Sequence, residues 1–155
     1  LDCGRDVAID VNCVFEGKVT LGDGVRIGPN CILKNISVAA GSEILPFCHL
    51  EDSQIGERCR LMGKVSVGGS GDPSKPGHPK IGDDVWLFDS AQVFGPVTIG
   101  DRSIIGARVT VTTAIPPDSF VTMSAKPRIR TLAEMGLATH GGSLPSSAID
   151  ELSGR

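Results

Sequence analysis

An all-β parallel β-helix built from six-residue units is the fold class this sequence predicts. Three observations predict it. An aliphatic residue recurs every sixth position, a small or β-branched residue follows four places after it, and the composition suits a core without aromatic anchors. Among 155 residues there are 20 glycines, 10 prolines, no tyrosine and 4% aromatics, while hydrophobic residues still reach 40%. That is too apolar for a disordered chain, and the glycines are too scattered for collagen.

The aliphatic series starts at Ile9 and runs through Phe15, Leu21, Ile27 and Leu33. After a short skip it resumes at Val38, Ile44 and Leu50, and after another at Ile55, Leu61 and Val67. It returns at Ile81, Leu87, Val93, Ile99, Ile105 and Val111. The fifth place of each hexad carries Cys13, Val19, Val25, Cys31, Ser42, Cys48, Cys59, Val65, Val85, Ala91, Val97, Ser103 and Val109. Three short strands then make one coil, and coils stack about 4.7–4.9 Å apart. The first place points inward as an aliphatic ladder, and the fifth faces in beside a corner where only a small side chain fits. The handedness preference of parallel crossovers favours a right-handed coil, but the period itself is silent on the hand.

In chain order, residues 1–67 predict about three coils and 81–115 about two more. Between them, 68–80 breaks the period with Gly, Ser, Pro and Lys, which predicts a loop, either a functional excursion or a plain surface insertion. The Pro116–Pro117 pair ends the regular ladder, because proline cannot donate to it. A last strand is expected within 118–130 and a short helix over 131–138. The chain therefore divides into a β-helix domain, 1–130, and a short helix with a loose tail, 131–155.

A net charge of −3 argues against a nucleic-acid partner. No apolar run reaches the length of a membrane span, and no leader segment is visible. Among the five cysteines there is no C-x-x-C pair. Small thiols buried in the reducing cytosol account for them, and a cytoplasmic location is the expectation. Cys13 and Cys31 are one coil apart and should stack. The three isolated histidines lack the spacing of a metal site, so none is expected.

Two stretches resemble the hexapeptide-repeat acyltransferase superfamily. Residues 4–60, with Lys34–Asn35 and Pro46–Phe47, are similar to the start of the acetyltransferase domain of bacterial bifunctional UDP-N-acetylglucosamine pyrophosphorylase/glucosamine-1-phosphate acetyltransferases. Residues 77–130, with "HPKIG", "DDVW" and "IPP", resemble the last coils of serine and sugar O-acetyltransferases. The resemblance implies a left-handed β-helix, a homotrimer and acetyl-CoA as acyl donor. The acceptor would be the amine or hydroxyl of a small molecule such as an amino sugar, sugar or amino acid.

By the same resemblance, His78 in "GHPKIG" is the candidate base or acceptor-site residue, and imidazole suits proton transfer near neutral pH. Ala107 and Ala91 are the candidate small residues beside the pantetheine arm. Lys126, Arg128 and Arg130 are the candidates for the nucleotide phosphates. His49, in an outward place, is expected to face solvent. Between Cys59 and Ile81 the sugar-phosphate coils of the bifunctional enzymes have no counterpart. Phe88 and Asp89 replace the glycine and small polar residue usual beside the groove. Those departures support the alternative of a non-catalytic trimeric scaffold or binding module.

Overall fold

The computed structural model describes residues 1–69, 78–124, 126–131, 133 and 134. It contains two compact units, Leu1–Met123 and Ser124–Arg155. The first is a left-handed parallel β-helix of about six turns.

Its strands line three faces. The first face stacks Ala8–Ile9, Arg26–Ile27, Glu43–Ile44, Arg60–Leu61, Trp86–Leu87, Ile104–Ile105 and Phe120–Val121, every neighbour parallel. The longer strands Val14–Leu21, Ile32–Val38 and His49–Ile55 run without interruption around a corner. They form the second face with their first halves and the third with their second halves. Ser66–Val67, Gln92–Val93 and Thr110–Val111 continue the second face. Lys80–Ile81 and Thr98–Ile99 continue the third.

The predicted inward places are the core. Leu21, Leu33, Ile44, Leu50, Leu61, Leu87, Ile99 and Ile105 are all under 2% exposed, as are the fifth-place residues Val25, Cys31, Cys48, Val65, Val85 and Ala91. Each large aliphatic side chain withdrawn from water in this way contributes about 1.5–3 kcal/mol. At the start of the stack the first coil has a partner on one side only, so the inward-facing Ile9 remains 39% exposed. Residues 1–67 wind nearly four coils, more than the period predicts. The second and third steps shorten to 17 residues, Thr20 pairing Ser37 and Ser37 pairing Gln54.

The fourth place of the hexad turns the chain. Asp6, Asn12, Asn30, Phe47, Arg58, Lys64, Asp84, Ser90, Arg102, Arg108 and Asp118 all have φ between 51° and 63°, a left-handed conformation costly for side chains other than Asn and Asp. Between the third and first faces the recurring Gly-Asp has a second cause. The Asp83 carboxylate accepts the Glu57 N–H at 2.8 Å, and Asp101 accepts the Asp83 N–H at 2.8 Å. Asp23 does the same for Arg5 at 2.7 Å. A Cβ on Gly82 would collide with the Asp101 carboxylate. At the next place Arg58 pairs with both oxygens of Asp84 at 2.8 and 3.0 Å, and Arg102 with both of Asp118 at 2.7 and 3.0 Å.

The cysteines form no disulfide. Cys13, Cys31 and Cys48 stack in successive coils, and each thiol donates to the carbonyl of the coil above: Gly28 at 3.2 Å, Leu45 at 3.2 Å and Met62 at 3.1 Å. The hydrogen bond with Cys31, together with burial, holds the Cys48 thiol well above its usual range, and burial pushes Cys59 up to about 11.

The expected C-terminal helix is not seen. Thr131 and Glu134 exchange bonds, Thr131 N–H to the Glu134 carboxylate at 2.7 Å and Glu134 N–H to Thr131 Oγ1 at 3.1 Å. This is the reciprocal exchange that opens a helix. Ala133 and Glu134 lie in a turn. Residues 132 and 135–155, which hold the rest of the expected helix and tail, lie outside the described residues.

Candidate functional site

The period breaks at one corner, between the second and third faces. Elsewhere the chain advances 16 to 18 residues per coil. Here it advances 26, from Gln54 to Lys80 on the third face, from Arg60 to Trp86 on the first and from Ser66 to Gln92 on the second. Gly68 and Gly69 carry the chain out at φ 97° and 64°. A side chain at Gly68 would overlap the Glu51 carbonyl, so this exit accepts no other residue. Residues 70–77 lie outside the described residues, and the chain returns at His78–Pro79–Lys80.

His78 is exposed, and its Nδ1 lies 3.1 Å from the backbone carbonyl oxygen of Asp52. A carbonyl has no proton to give, so Nδ1 donates. Nε2 then carries the lone pair. Asp52 is held in turn, its Oδ1 accepting from Asn35 Nδ2 at 3.2 Å, while Asn35 Oδ1 accepts the Lys18 N–H at 3.1 Å. The imidazole is thus anchored on three stacked turns of one corner.

Just around that corner, on the second face, lies a cavity of about 240 Å³ lined by His49, Glu51, Ser66, Gly68, Gly69 and Phe94, with Val67 beneath. His49 is solvent-facing as expected, yet its Nε2 is 3.9 Å from Glu51 Oε2. A strand brings residues i and i+2 to the same side, so His49 and Glu51 in "HLED" share one face. That alternation was the available signal for this pair. Its link to His78 was hidden, because the register step at the loop is what joins them.

The candidate cofactor residues fall elsewhere. Ala107 is exposed at the corner between the first and second faces, in a column with Asp89 and Gly63. Arg108 N–H donates to the Asp89 carbonyl at 3.0 Å, and Ser90 N–H to the Gly63 carbonyl at 3.0 Å. Ala91 is 0% exposed and belongs to the core, so its side chain does not line that groove. Within one chain His78 and Ala107 occupy different corners of the prism. Lys126, Arg128 and Arg130 are exposed in the second compact unit. Trp86 and Phe88 pack with ring centroids 6.3 Å apart, and the Arg60 guanidinium stands 6.0 Å from the Trp86 ring. Among the described residues no group of three or more His, Cys, Asp or Glu could hold a metal ion, and no helix is long and apolar enough to cross a membrane.

The model of the bacterial transferase hexapeptide (six repeats) matches residues 3–35 and 78–113. The bifunctional protein GlmU of Cupriavidus pinatubonensis is 32% identical over 177 aligned positions, covering 81% of this chain and 39% of that protein. The same protein of Dechloromonas aromatica is 37% identical over 180 positions, covering 83% and 39%. The chain thus spans about two-fifths of the length of these relatives. The first alignment uses about 126 residues here (81% of 155) across 177 positions, so about 51 positions have no counterpart in this chain. Among solved structures, AntD, an N-acyltransferase from Bacillus cereus in complex with dTDP-4-amino-4,6-dideoxyglucose and coenzyme A, superposes with TM-score 0.71 at 19% identity, covering 87% of this chain and 88% of that one. PerB from Caulobacter crescentus, in complex with CoA and GDP-perosamine, superposes with TM-score 0.50 at 22% identity, covering 74% and 53%.

Proposed function

The chain belongs to the bacterial hexapeptide-repeat transferase superfamily, and on that premise we propose that it is an acyl-CoA-dependent acyltransferase, with acetyl-CoA as donor and a small-molecule amine or hydroxyl as acceptor. The observation that carries this reading is the imidazole of His78. Its Nδ1 proton is committed to the Asp52 carbonyl, which leaves Nε2 exposed and able to take a proton from the attacking group. When bound, acetyl-CoA supplies the acetyl group as a thioester. Nε2 takes the proton from the acceptor's N–H or O–H as the new bond to the acetyl carbon forms and the carbon–sulfur bond breaks. The same proton then passes to the departing thiolate, so the imidazole ends neutral.

Gly63 and Ala107, on either side of Asp89 in that column, support the donor assignment, since small side chains leave room for an extended pantetheine arm. Lys126, Arg128 and Arg130 supply the charge a nucleotide phosphate needs. Because His78 and Ala107 lie at different corners, the reading includes a homotrimer in which one copy's His78 corner meets the next copy's Ala107 corner. The thiols Cys31, Cys48 and Cys59, all buried and unpaired in disulfides, suit the reducing cytosol. The roughly 51 positions of the bifunctional relative that have no counterpart here support an acceptor other than its sugar phosphate. The exposed Asp89, a carboxylate in the middle of that column, favours the second reading of a non-catalytic scaffold.

Release of free thiol from acetyl-CoA, measured against a panel of amines and alcohols, decides between them. The expected outcome is turnover that falls about 100-fold or more in His78→Gln, from a species that light scattering sizes as a trimer. Absence of both turnover and calorimetric binding at millimolar acetyl-CoA leaves the scaffold.

A further inference from the structure

Outside the prism, the corner that holds the cavity carries a ladder of charge. Glu16 pairs Lys34 in register, and Lys34 pairs Glu51. The Lys34 ammonium lies 3.1 Å from Glu16, and this hydrogen bond raises its pKa, with Glu51 and Asp52 adding to the effect at longer range. The sequence of charge up the stack is therefore negative, positive, negative. On the next rung the chain places Gly68, which has no side chain, and on the rung after that Phe94 closes the space. The cavity is the vacancy where a fourth rung would stand.

We propose that this vacancy is a binding site for the ammonium group of a small amine, which takes the place of the missing cation. Glu51 is the residue that selects it. Its side chain is 30% exposed. Among the described residues its one ion-pair partner is His49, at 3.9 Å, beyond hydrogen-bond reach. Its oxygens therefore retain acceptor capacity for a donor that enters the cavity. Phe94 adds an aromatic wall, which tolerates a cation where it would not favour an anion. At about 240 Å³ the space is smaller than the ~300–1,000 Å³ of sites that enclose drug-sized ligands, so it fits a monosaccharide-sized molecule or one end of a larger one. A phosphate on that side would meet Glu51. The inference rests on the acyltransferase reading only for what the amine is used for. On that reading, the acceptor is an amine and not an alcohol.

The test reads binding without acetyl-CoA. Amide chemical shifts of the full 155-residue chain are followed while glucosamine, and separately glucose, is added. Glucosamine is expected to shift the amides of Glu51, Gly68 and Gly69, with glucose binding at least tenfold more weakly. Glu51→Gln should erase that preference, and Glu16→Gln, which removes a carboxylate of the same ladder two rungs away, should keep it. Equal binding of the two sugars, or an unchanged preference in Glu51→Gln, overturns the proposal. Amine selectivity without any acetyl transfer would overturn the acyltransferase reading and leave this one standing. Transfer without amine selectivity would do the reverse.

Discussion

Two corners of the same prism obey different rules. Between the third and first faces one device recurs on several coils. A glycine admits the carboxylate of the stacked aspartate, that carboxylate takes a backbone N–H, and the outer charges close into Arg58–Asp84 and Arg102–Asp118 pairs. Between the second and third faces the repeat fails. A run of continuous strands gives way to a chain exit at Gly68, an insertion and the return at His78, and among the described residues the outer charges end on Glu51 with no cation on the next rung. At that regular corner the neighbouring coil takes up these donors and acceptors. The polar groups available for chemistry sit where the stacking was interrupted.

The difference can be broken most sharply at glycine. Gly68→Ala forces a Cβ into the Glu51 carbonyl at φ 97°, and a loss of about 3 kcal/mol is expected by chemical denaturation. Gly24→Ala at the regular corner also meets a positive φ, 71°, but has nothing within 4 Å, so only the backbone cost of about 1–2 kcal/mol should appear. Equal losses would show that steric closure at Gly68 is not special.

The regular corner should in turn reveal its carboxylate ladder. Asp101→Ala leaves the Asp83 N–H without its partner and should cost about 1–2 kcal/mol, whereas Asp101→Asn retains an acceptor oxygen and should recover most of it. Loss of the same size in both would mean that charge and not the hydrogen bond matters there.

The smallest effect is electrostatic. Hydrogen bonds from Arg58 and Arg102 hold the carboxyls of Asp84 and Asp118 below their usual values. A carboxyl lowered in the folded state stabilises the fold above the unfolded value of about 3.9, and that contribution is lost as pH falls through the folded value. Replacing both arginines by glutamine should therefore flatten the acid limb of the melting temperature below about pH 4. Because these groups are exposed, about 1 M salt should shrink the difference between the variants. A persistent difference in salt would point to packing instead.

Much of this was legible in the chain. The first and fifth hexad places named most of the core, including Cys31 with Cys13 stacked on it, but not Ile36 and Ser53, which fall where the period skips. The insertion announced itself through glycine and proline, and His78 through its motif. The fourth place was not legible, because the left-handed turn there is imposed by stacking on residues as unsuited to it as Phe47, Arg58 and Lys64. The extra coil in 1–67 was missed for a related reason: one-residue contractions at Asn35 and Asp52 look like breaks in a period and not like shortened turns.

By itself the sequence determined the architecture, since a six-residue period of aliphatic side chains has one economical way to leave water, and the burial of each rung depends on residue type at a known place. What stands above what, across the insertion, was decided by the tertiary structure alone. Asp52 and His78 are 26 residues apart in sequence and adjacent in the stack. The parallel ladder sets those neighbours through backbone hydrogen bonds that carry no signature in side-chain identity. The vacant rung beside Glu51, and the proton-accepting tautomer of His78, exist only because that register places them there.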